Sequence, residues 1–261
     1  MLDFTNHVVL VTGAGAGIGF GIAKGFSEAG AKVAIGDIRQ EAVDRAASRL
    51  PSDGTIFASQ LDVRDRASVD RFVAGAEDAL GPLTVAVANA GIYPNTPVLD
   101  MDPEEWDRVM ETNVRGTFLT CQAAARKMVE RGTQGKIITL SSGAYQSGRV
   151  GASHYCASKA GVVMFTKVLA LELASHKINV NCIAPGLIEV EGEMSPISAE
   201  YKQTLAAGIP WGRIGQPEDI ANATLFLASP LADFITGDVL MVNGGSSAGR
   251  ANLPLSTPRE G

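Results

Sequence analysis

A tyrosine and a lysine four residues apart point most directly to chemistry in this chain. Tyr155 and Lys159 stand where a segment rich in small residues gives way to a long apolar run, and on a helix they would share one face. An ammonium near a phenol favours the phenolate and lowers the tyrosine pKa from about 10. Such a phenol can accept or donate a proton near neutral pH. Ser142, at the end of a β-rich run, could hydrogen-bond the same substrate oxygen. A surface pair on an ordinary helix is the alternative.

Composition narrows the class of protein. The 261 residues are 46% hydrophobic, enough for the core of one large α/β domain, and the net charge of −6 argues against nucleic acid or an anionic membrane as a partner. The N-terminus shows no export signal, and Lys167 and Glu172 interrupt the apolar run 160–173, which argues against a membrane span. Three widely spaced cysteines indicate neither disulfides nor a metal site. We expect a reduced, cytoplasmic protein.

A glycine-rich segment follows the first short apolar run, residues 8–12. It reads TGAGAGIG over residues 12–19 and leads into a helical pattern that continues to Ala29. Strand, glycine loop and helix in this order are typical of a turn that binds a pyrophosphate, because glycines allow close approach and the helix N-terminus attracts anions. We expect Gly13, Gly17, Ile18 and Gly19 to contact a dinucleotide. An ordinary tight turn is the alternative.

Asp37 ends the second predicted strand, residues 32–36, and lies twenty residues beyond Gly17. A carboxylate at this place accepts hydrogen bonds from the adenosine ribose hydroxyls and repels a 2′-phosphate. Ala14 and Ala16 put no basic side chain in the loop, although Arg39 could partly offset the charge of Asp37. The sequence therefore favours NAD over NADP.

Two further strand–helix units follow. Residues 55–61 lead to Asp62 and Val63, and residues 83–88 lead to Asn89, Ala90 and Gly91. All five follow predicted strands, at the edge where α/β sheets bind ligands, so we expect them to contact the cofactor. Asp62 could meet an adenine amino group, or it could cap the helix predicted over residues 66–80.

Asn113 lies between a helix that opens at Pro103 and another over residues 117–130. A polar residue among apolar neighbours usually bonds backbone carbonyls, here where a helix is distorted, and a proton-relay role is compatible with that. A fifth strand follows at residues 136–140. The next helix, residues 152–175, is apolar on more than one face, which suggests a partner helix from another subunit.

The remaining segments complete a doubly wound parallel α/β sheet of about seven strands in a single domain, residues 1–245. The sixth strand, residues 178–183, precedes Pro185 and Gly186. The irregular segment 187–210 is predicted to be a substrate lid, with partial disorder as the alternative, and includes a short helix around 199–207. A helix over 217–228 and a strand over 238–242 follow. We expect the tail, residues 246–261, to be extended and to bridge subunits.

Together these segments resemble the short-chain dehydrogenase/reductase family. The resemblance runs from about Val8 to Gly245, through TGxxxGxG at 12–19, NAG at 89–91, Asn113, Ser142, YxxxK at 155–159 and PG at 185–186. It implies that Tyr155 is the acid/base, that Ser142 holds the substrate oxygen, that Lys159 binds the nicotinamide ribose and lowers the tyrosine pKa, and that Asn113 holds a water linked to Lys159. It also places Tyr155, Lys159, Pro185, Gly186 and the Ile188 backbone against the cofactor. The second apolar face of the helix over residues 152–175 would suit a four-helix contact, so we expect a homotetramer, a dimer of dimers.

The chain departs from the family pattern at two positions. Ala88 replaces the first Asn of the usual NNAG, which should be tolerated because residues 89–91 are intact. Val190 stands about where many members carry a Thr that bonds the nicotinamide carboxamide. Valine has no polar side-chain atom to make that bond, and the backbone at Ile188 could serve instead.

The substrate is less clearly indicated. Polar and aromatic candidates occupy the loops expected around the mouth of the site: Tyr93, Tyr145, Gln146, Arg149, His154, Glu191, Glu193 and Trp211. His154 could be a structural hydrogen-bonder or a second base. Several polar groups suit a polyhydroxylated substrate, so with NAD we expect oxidation of a sugar or polyol. Reduction of a 3-oxoacyl thioester is the alternative, and a non-catalytic NAD-binding scaffold or sensor is a third possibility.

Overall fold

A computed structural model describes residues 2–51, 56–190 and 199–249 of the chain. Within these residues seven parallel strands form one sheet in the order β3-β2-β1-β4-β5-β6-β7. The strands are β1 (Val8–Thr12), β2 (Lys32–Asp37), β3 (Ile56–Gln60), β4 (Val85–Ala88), β5 (Lys136–Leu140), β6 (Asn179–Pro185) and β7 (Val239–Val242). The predicted doubly wound parallel sheet is confirmed.

Helices cover both faces of the sheet. They are α1 (Gly17–Glu28), α2 (Gln40–Arg49), α3 (Arg66–Leu80), α4 (Pro103–Met110), α5 (Gly116–Arg131), α6 (Ser153–Leu173), α7 (Ala199–Ala207) and α8 (Pro217–Ala228). Side chains of α1, α2 and α8 form one core, and those of α3, α5 and α6 form the other. Within β1, Leu10 joins one core while Val9 and Val11 join the other, as the alternation of a strand buried on both faces requires.

A π-helical turn, Glu111–Arg115, joins α4 to α5, with Asn113 at its centre. The predicted distortion of a helix at Asn113 is therefore confirmed. Such turns widen the helix by one residue and are frequent at functional sites. Here the turn brings the Asn113 side chain to the backbone that follows β4 and to α6.

The chain reverses its winding direction between β1 and β4, which lie side by side at the centre of the sheet. The crevice beyond the carboxyl ends of these two strands is where open α/β sheets bind ligands. The segment after β6 borders this crevice and is tied down by Ile188 and Gly215, which form an isolated parallel bridge.

Parts of the predicted lid and tail, residues 191–198 and 250–261, lie outside the described residues, so both assignments stay predictions. The helix expected around residues 199–207 is present as α7. Among the described helices, none combines the length and the apolar character needed to cross a membrane.

Candidate active site

The loop between β1 and α1 depends on glycine for its shape. Gly13 and Gly17 have φ angles of +64° and +57°, in the left-handed region that side chains disfavour. A Cβ on Gly19 would collide with the carbonyl oxygen of Gly13. The Asn89 side chain donates hydrogen bonds to the carbonyl oxygens of Thr12 at 2.9 Å and Gly13 at 3.1 Å, so the end of β4 fixes the loop.

Asp37 faces this loop from the end of β2. Its Oδ2 accepts a hydrogen bond from the Gly15 amide at 3.2 Å, and its Oδ1 accepts one from the Arg39 amide at 3.2 Å. The Arg39 Nε lies 3.9 Å from Oδ1 on a largely exposed side chain. The carboxylate is therefore held beside the glycine loop, and its charge is only partly offset.

Asp62 lines the same crevice but does not cap α3. The Asp65 carboxylate caps that helix, accepting hydrogen bonds from the amides of Ala67 and Ser68, both at 3.1 Å. Asp62 instead binds Arg64, whose Nη2 lies 2.7 Å from Oδ2 and which lowers the pKa of the Asp62 carboxyl. The alternative that Asp62 caps α3 is thus wrong, because Asp65 is the residue directly before the first turn of this helix.

A cavity of about 700 Å³ occupies the crevice. It is lined by all the residues predicted to contact the cofactor: Gly13, Gly17, Ile18, Gly19, Asp37, Asp62, Val63, Asn89, Ala90, Gly91, Tyr155, Lys159, Pro185, Gly186 and Ile188. Ser142 also lines it. One continuous space therefore joins the glycine loop to the proposed acid/base pair.

Tyr155 and Lys159 lie one turn apart near the start of α6, as predicted. The Lys159 Nζ is 5.7 Å from the centroid of the Tyr155 ring and donates a hydrogen bond to the Leu140 carbonyl oxygen at 2.8 Å. Lys159 is 5% exposed, and burial lowers its pKa to about 8. The ammonium is thus held at the end of β5, below the tyrosine ring.

The Tyr155 pKa departs from the expected direction. Burial raises it above the ordinary tyrosine value, while a hydrogen bond with Ser142 and the positive charge of Arg149 act in the lowering direction. The prediction that the Tyr155 pKa is lowered is therefore wrong. Removing the phenol from water disfavours the phenolate by more than Ser142 and Arg149 favour it.

The Asn113 side chain is fully buried and holds two segments together. Its Oδ1 accepts a hydrogen bond from the Ile92 amide at 2.8 Å, and its Nδ2 donates to the Ile92 carbonyl at 2.9 Å and to Ser158 Oγ at 3.0 Å. It therefore fixes the backbone after β4 against α6. The proton-relay role stays a prediction.

Comparisons with known proteins agree with this arrangement. A family model described as enoyl-(acyl carrier protein) reductase matches residues 13–247. Sorbitol dehydrogenase of Cereibacter sphaeroides is 37% identical over 251 residues, with 92% of this chain and 97% of that protein covered. 3-Oxoacyl-[acyl-carrier-protein] reductase FabG of Chlamydia muridarum is 41% identical over 247 residues, with the same coverage.

A crystal structure of a short-chain type dehydrogenase/reductase from Mycobacterium marinum superposes with a TM-score of 0.86 at 38% identity, covering 95% of this chain and 98% of that one. The chain belongs to the short-chain dehydrogenase/reductase family. It is accordingly an oxidoreductase that acts on an alcohol or carbonyl group with a nicotinamide cofactor, NAD(H) or NADP(H).

The described residues fit a dinucleotide of this kind. The glycine loop leaves its backbone open to a pyrophosphate at the N-terminus of α1, where free amides and the helix dipole favour negative charge. Asp37 and Lys159 both line the cavity, at or after the ends of different strands of the sheet. Val190, in place of the family's usual Thr, packs toward the loop: a Cβ on Gly17 would come within 2.7 Å of its Cγ1.

The predicted substrate residues of this short-chain dehydrogenase/reductase fall into three groups: those that line the cavity, those that do not, and those outside the described residues. Tyr93 and Arg149 line the cavity beside Tyr155. The ring centroids of Tyr93 and Tyr155 are 6.2 Å apart. The structure does not bring Gln146 and His154 to the cavity. Gln146 is exposed and donates to the Tyr145 hydroxyl at 2.7 Å. Glu191 and Glu193 lie outside the described residues, and Trp211 is exposed and does not line the cavity.

His154 is fully buried, and both its ring nitrogens have protein partners. Nδ1 accepts a hydrogen bond from the Tyr155 amide at 2.9 Å, and Nε2 lies 3.1 Å from Glu105 Oε1 on α4. Trp106 stacks on the ring at 6.5 Å. His154 thus caps an N-terminal amide of α6, a task that Ala152 at the N-cap cannot perform. The structural alternative fits these contacts.

Two cavity residues on and after α4 were not predicted. Arg108 and Thr112 both line the cavity, and the Thr112 hydroxyl donates to the Arg108 carbonyl oxygen at 2.8 Å. Their four-residue spacing places them on one helical face, which is a signal that the sequence carries. Whether this helical face points toward the cavity depends on how α4 packs on α6, which the spacing does not reveal.

Proposed function

We propose that this protein is an NAD(H)-dependent dehydrogenase that transfers hydride between a secondary alcohol, or its carbonyl, and nicotinamide. The Asp37 carboxylate carries the choice of cofactor. It lines the cavity beside the glycine loop and would accept hydrogen bonds from the ribose hydroxyls while repelling a 2′-phosphate. Arg39 is largely exposed and weakens that repulsion only in part.

The residues around Tyr155 support a proton-transfer role on that substrate. When bound, the cofactor supplies or accepts the hydride. During oxidation the Tyr155 phenolate would take the proton of the alcohol, and during reduction the phenol would return it. Ser142, which lines the cavity and acts on the Tyr155 pKa, would hold the same substrate oxygen. Lys159 would bind the cofactor ribose from its buried position, and Asn113 would keep the loop after β4 in place and hold a water leading to Lys159.

We favour a sugar or polyol as substrate. The similarity to a sorbitol dehydrogenase supports this choice, as do the polar groups near Tyr155. Reduction of a 3-oxoacyl thioester is the second candidate, and the higher identity to a 3-oxoacyl reductase, together with the matched family model, favours it. Both reactions need the same acid/base residues and differ in what the mouth of the cavity binds.

Initial rates would separate these candidates. Oxidation of aldoses, polyols and simple secondary alcohols is followed by NADH formation at alkaline pH, with NAD and NADP in parallel. Activity with one sugar and NAD would support the first proposal. If the alcohols are not oxidised and 3-oxoacyl thioesters consume NADH, the second candidate replaces it. NADH binding without turnover of either class would instead indicate a scaffold or sensor.

We also propose that the protein is a homo-oligomer, a dimer of dimers, and that it is located in the cytoplasm. The outward face of α6 carries Met164, Val168 and Leu171, which are 60%, 47% and 81% exposed. An exposed apolar row on one helix is typical of a subunit contact. Light scattering should give a tetramer, and Leu171→Glu should yield smaller species, whereas Ser48→Glu at an exposed position of α2 tests for a general effect of added charge. A monomeric wild type would refute this proposal.

A further inference from the structure

Arg149 occupies an unusual position in the catalytic end of the cavity. Its guanidinium carbon lies 5.9 Å from the centroid of the Tyr155 ring, and the residue lines the cavity. The backbone that carries it is fixed: the Ala152 amide donates to the Arg149 carbonyl at 3.1 Å, and the Thr96 amide donates to the Gly151 carbonyl at 2.8 Å. Arg149 is thus presented by an anchored turn immediately before α6.

The described residues give Arg149 no acidic partner. Their ion pairs engage other arginines and lysines. The acidic side chains that line the cavity, Asp37 and Asp62, lie at its other end, on the last residue of β2 and just after β3. Each of those carboxylates has its own arginine neighbour. The start of α6 does not explain the charge either, because a cation is unfavourable at the positive end of a helix dipole.

A second cation, Arg108, also lines the cavity, from α4, the helix whose Glu105 side chain contacts His154 at the start of α6. Beside Tyr155, the lining residues that the structure describes include the basic side chains of Arg149 and Lys159 and no acid. An arginine recognises a carboxylate or phosphate through two parallel hydrogen bonds, which a neutral hydroxyl cannot supply.

We propose that the substrate is an alcohol that bears an acidic group close to the reacting carbon, a carboxylate or a phosphate, and that Arg149 binds this group. This inference rests on the proposed dehydrogenase function and narrows it. Tyr155 and Ser142 hold the reacting oxygen, and Arg149 holds the acidic group. These two contacts together orient the substrate in the cavity. Arg149 is then a specificity-determining residue.

The test compares matched neutral and acidic alcohols in NAD-dependent oxidation. The pairs are sorbitol with gluconate, glycerol with glycerol 3-phosphate, and 2-butanol with 3-hydroxybutanoate. For at least one pair we expect kcat/KM to favour the acidic member by about 10- to 100-fold, as a charge-assisted hydrogen bond provides. The three pairs also distinguish carboxylate from phosphate. If all three neutral members are used as well as or better than their acidic partners, the inference is overturned.

Variants then assign the preference to Arg149. Arg149→Gln should abolish it through a higher KM for the acidic member, Arg149→Lys should keep part of it, and Arg126→Gln should behave as wild type. Arg126 is exposed on α5 and does not line the cavity. The ratio of kcat/KM within a pair is the decisive quantity, because kcat/KM reports the ionisation of Tyr155 in the free enzyme, which is the same for both members. An unchanged ratio in Arg149→Gln would contradict the role of Arg149.

A binding measurement separates this inference from the proposed function. If no pair is oxidised with NAD, the dehydrogenase proposal fails for these alcohols, and the same compounds are titrated into the NADH-bound protein by fluorescence. Binding of gluconate, glycerol 3-phosphate or 3-hydroxybutanoate that exceeds that of the neutral partner and is lost in Arg149→Gln supports the inference. Equal or absent binding of the acids overturns it.

Discussion

Replacing Lys159 by methionine should stabilise the protein at neutral pH while removing its activity. Lys159 is buried in α6, and burial lowers its pKa from the ordinary 10.5 to about 8. Below pH 8 the ammonium is charged in both the folded and the unfolded chain, so the folded state carries the full penalty, about 3 kcal/mol. Methionine has a similar length and no charge. It forfeits the hydrogen bond to the Leu140 carbonyl, worth about 1 kcal/mol.

The net gain expected for Lys159→Met at pH 7 is therefore about 2 kcal/mol, or roughly 4–8 °C in the midpoint of thermal unfolding for a chain of this size. Its sign depends on pH. Between about pH 8 and 10.5 the unfolded lysine binds a proton that the folded one does not, so the free energy of unfolding of the wild type rises with pH relative to the variant. The gain should shrink across this window, reach zero at about pH 10 and become a small loss at pH 10.5, where the wild type still has the hydrogen bond to Leu140.

Thermal unfolding of the wild type, Lys159→Met and Lys24→Met, measured at several pH values from 7 to 10.5, tests this reasoning. The Lys24 side chain is 41% exposed on α1, so its replacement should leave the midpoint nearly constant. A difference between Lys159→Met and wild type that stays the same across the range would show that the Lys159 pKa is not lowered, and the electrostatic description of the site would be refuted.

Three further predictions concern the cavity. Tyr155→Phe should reduce turnover about 10²- to 10⁴-fold while NADH affinity, measured by fluorescence, stays within about twofold; retained activity would contradict the acid/base role. Asp37→Ala should lower the NAD-to-NADP ratio of kcat/KM by about tenfold or more, and a wild type that already prefers NADP would show our interpretation of Asp37 to be wrong. Because the Tyr155 pKa is raised, alcohol oxidation should increase with pH and carbonyl reduction should decrease as pH rises through that pKa. In Arg149→Gln both profiles should move to higher pH; a shift to lower pH would be inconsistent with the cationic influence of Arg149.

The sequence predicts the sheet and the cofactor cavity well because both follow from local order along the chain. Each predicted cofactor residue stands at or just after the end of a parallel strand, or on the helix that follows, and parallel strands present these ends at one edge. Asn113 could be assigned to a helix distortion because a buried amide needs partners that a regular helix does not offer. The π-helical turn provides them.

Features that depend on burial or on distant contacts could not be predicted. The sign of the Tyr155 pKa change depends on how much of the phenol leaves water, which the spacing to Lys159 does not reveal. The partner of His154 is Glu105, 49 residues away on another helix. The cap of α3 is Asp65, whose backbone adjoins the first helical residue, and not Asp62, the alternative considered from the sequence.

Arg149 links substrate binding to the protonation of Tyr155. Its positive charge lowers the tyrosine pKa against the effect of burial. An acidic group bound to Arg149 would neutralise much of that charge and remove this influence, so the phenol would hold its proton more tightly in the complex than in the free enzyme. A neutral alcohol would leave the influence intact. The pH dependence of kcat, which reports on the complex, should then lie above that of kcat/KM for an acidic substrate and coincide with it for a neutral one. The residue that selects the substrate would thereby also bias Tyr155 toward donating its proton, which favours the reductive direction at a given pH.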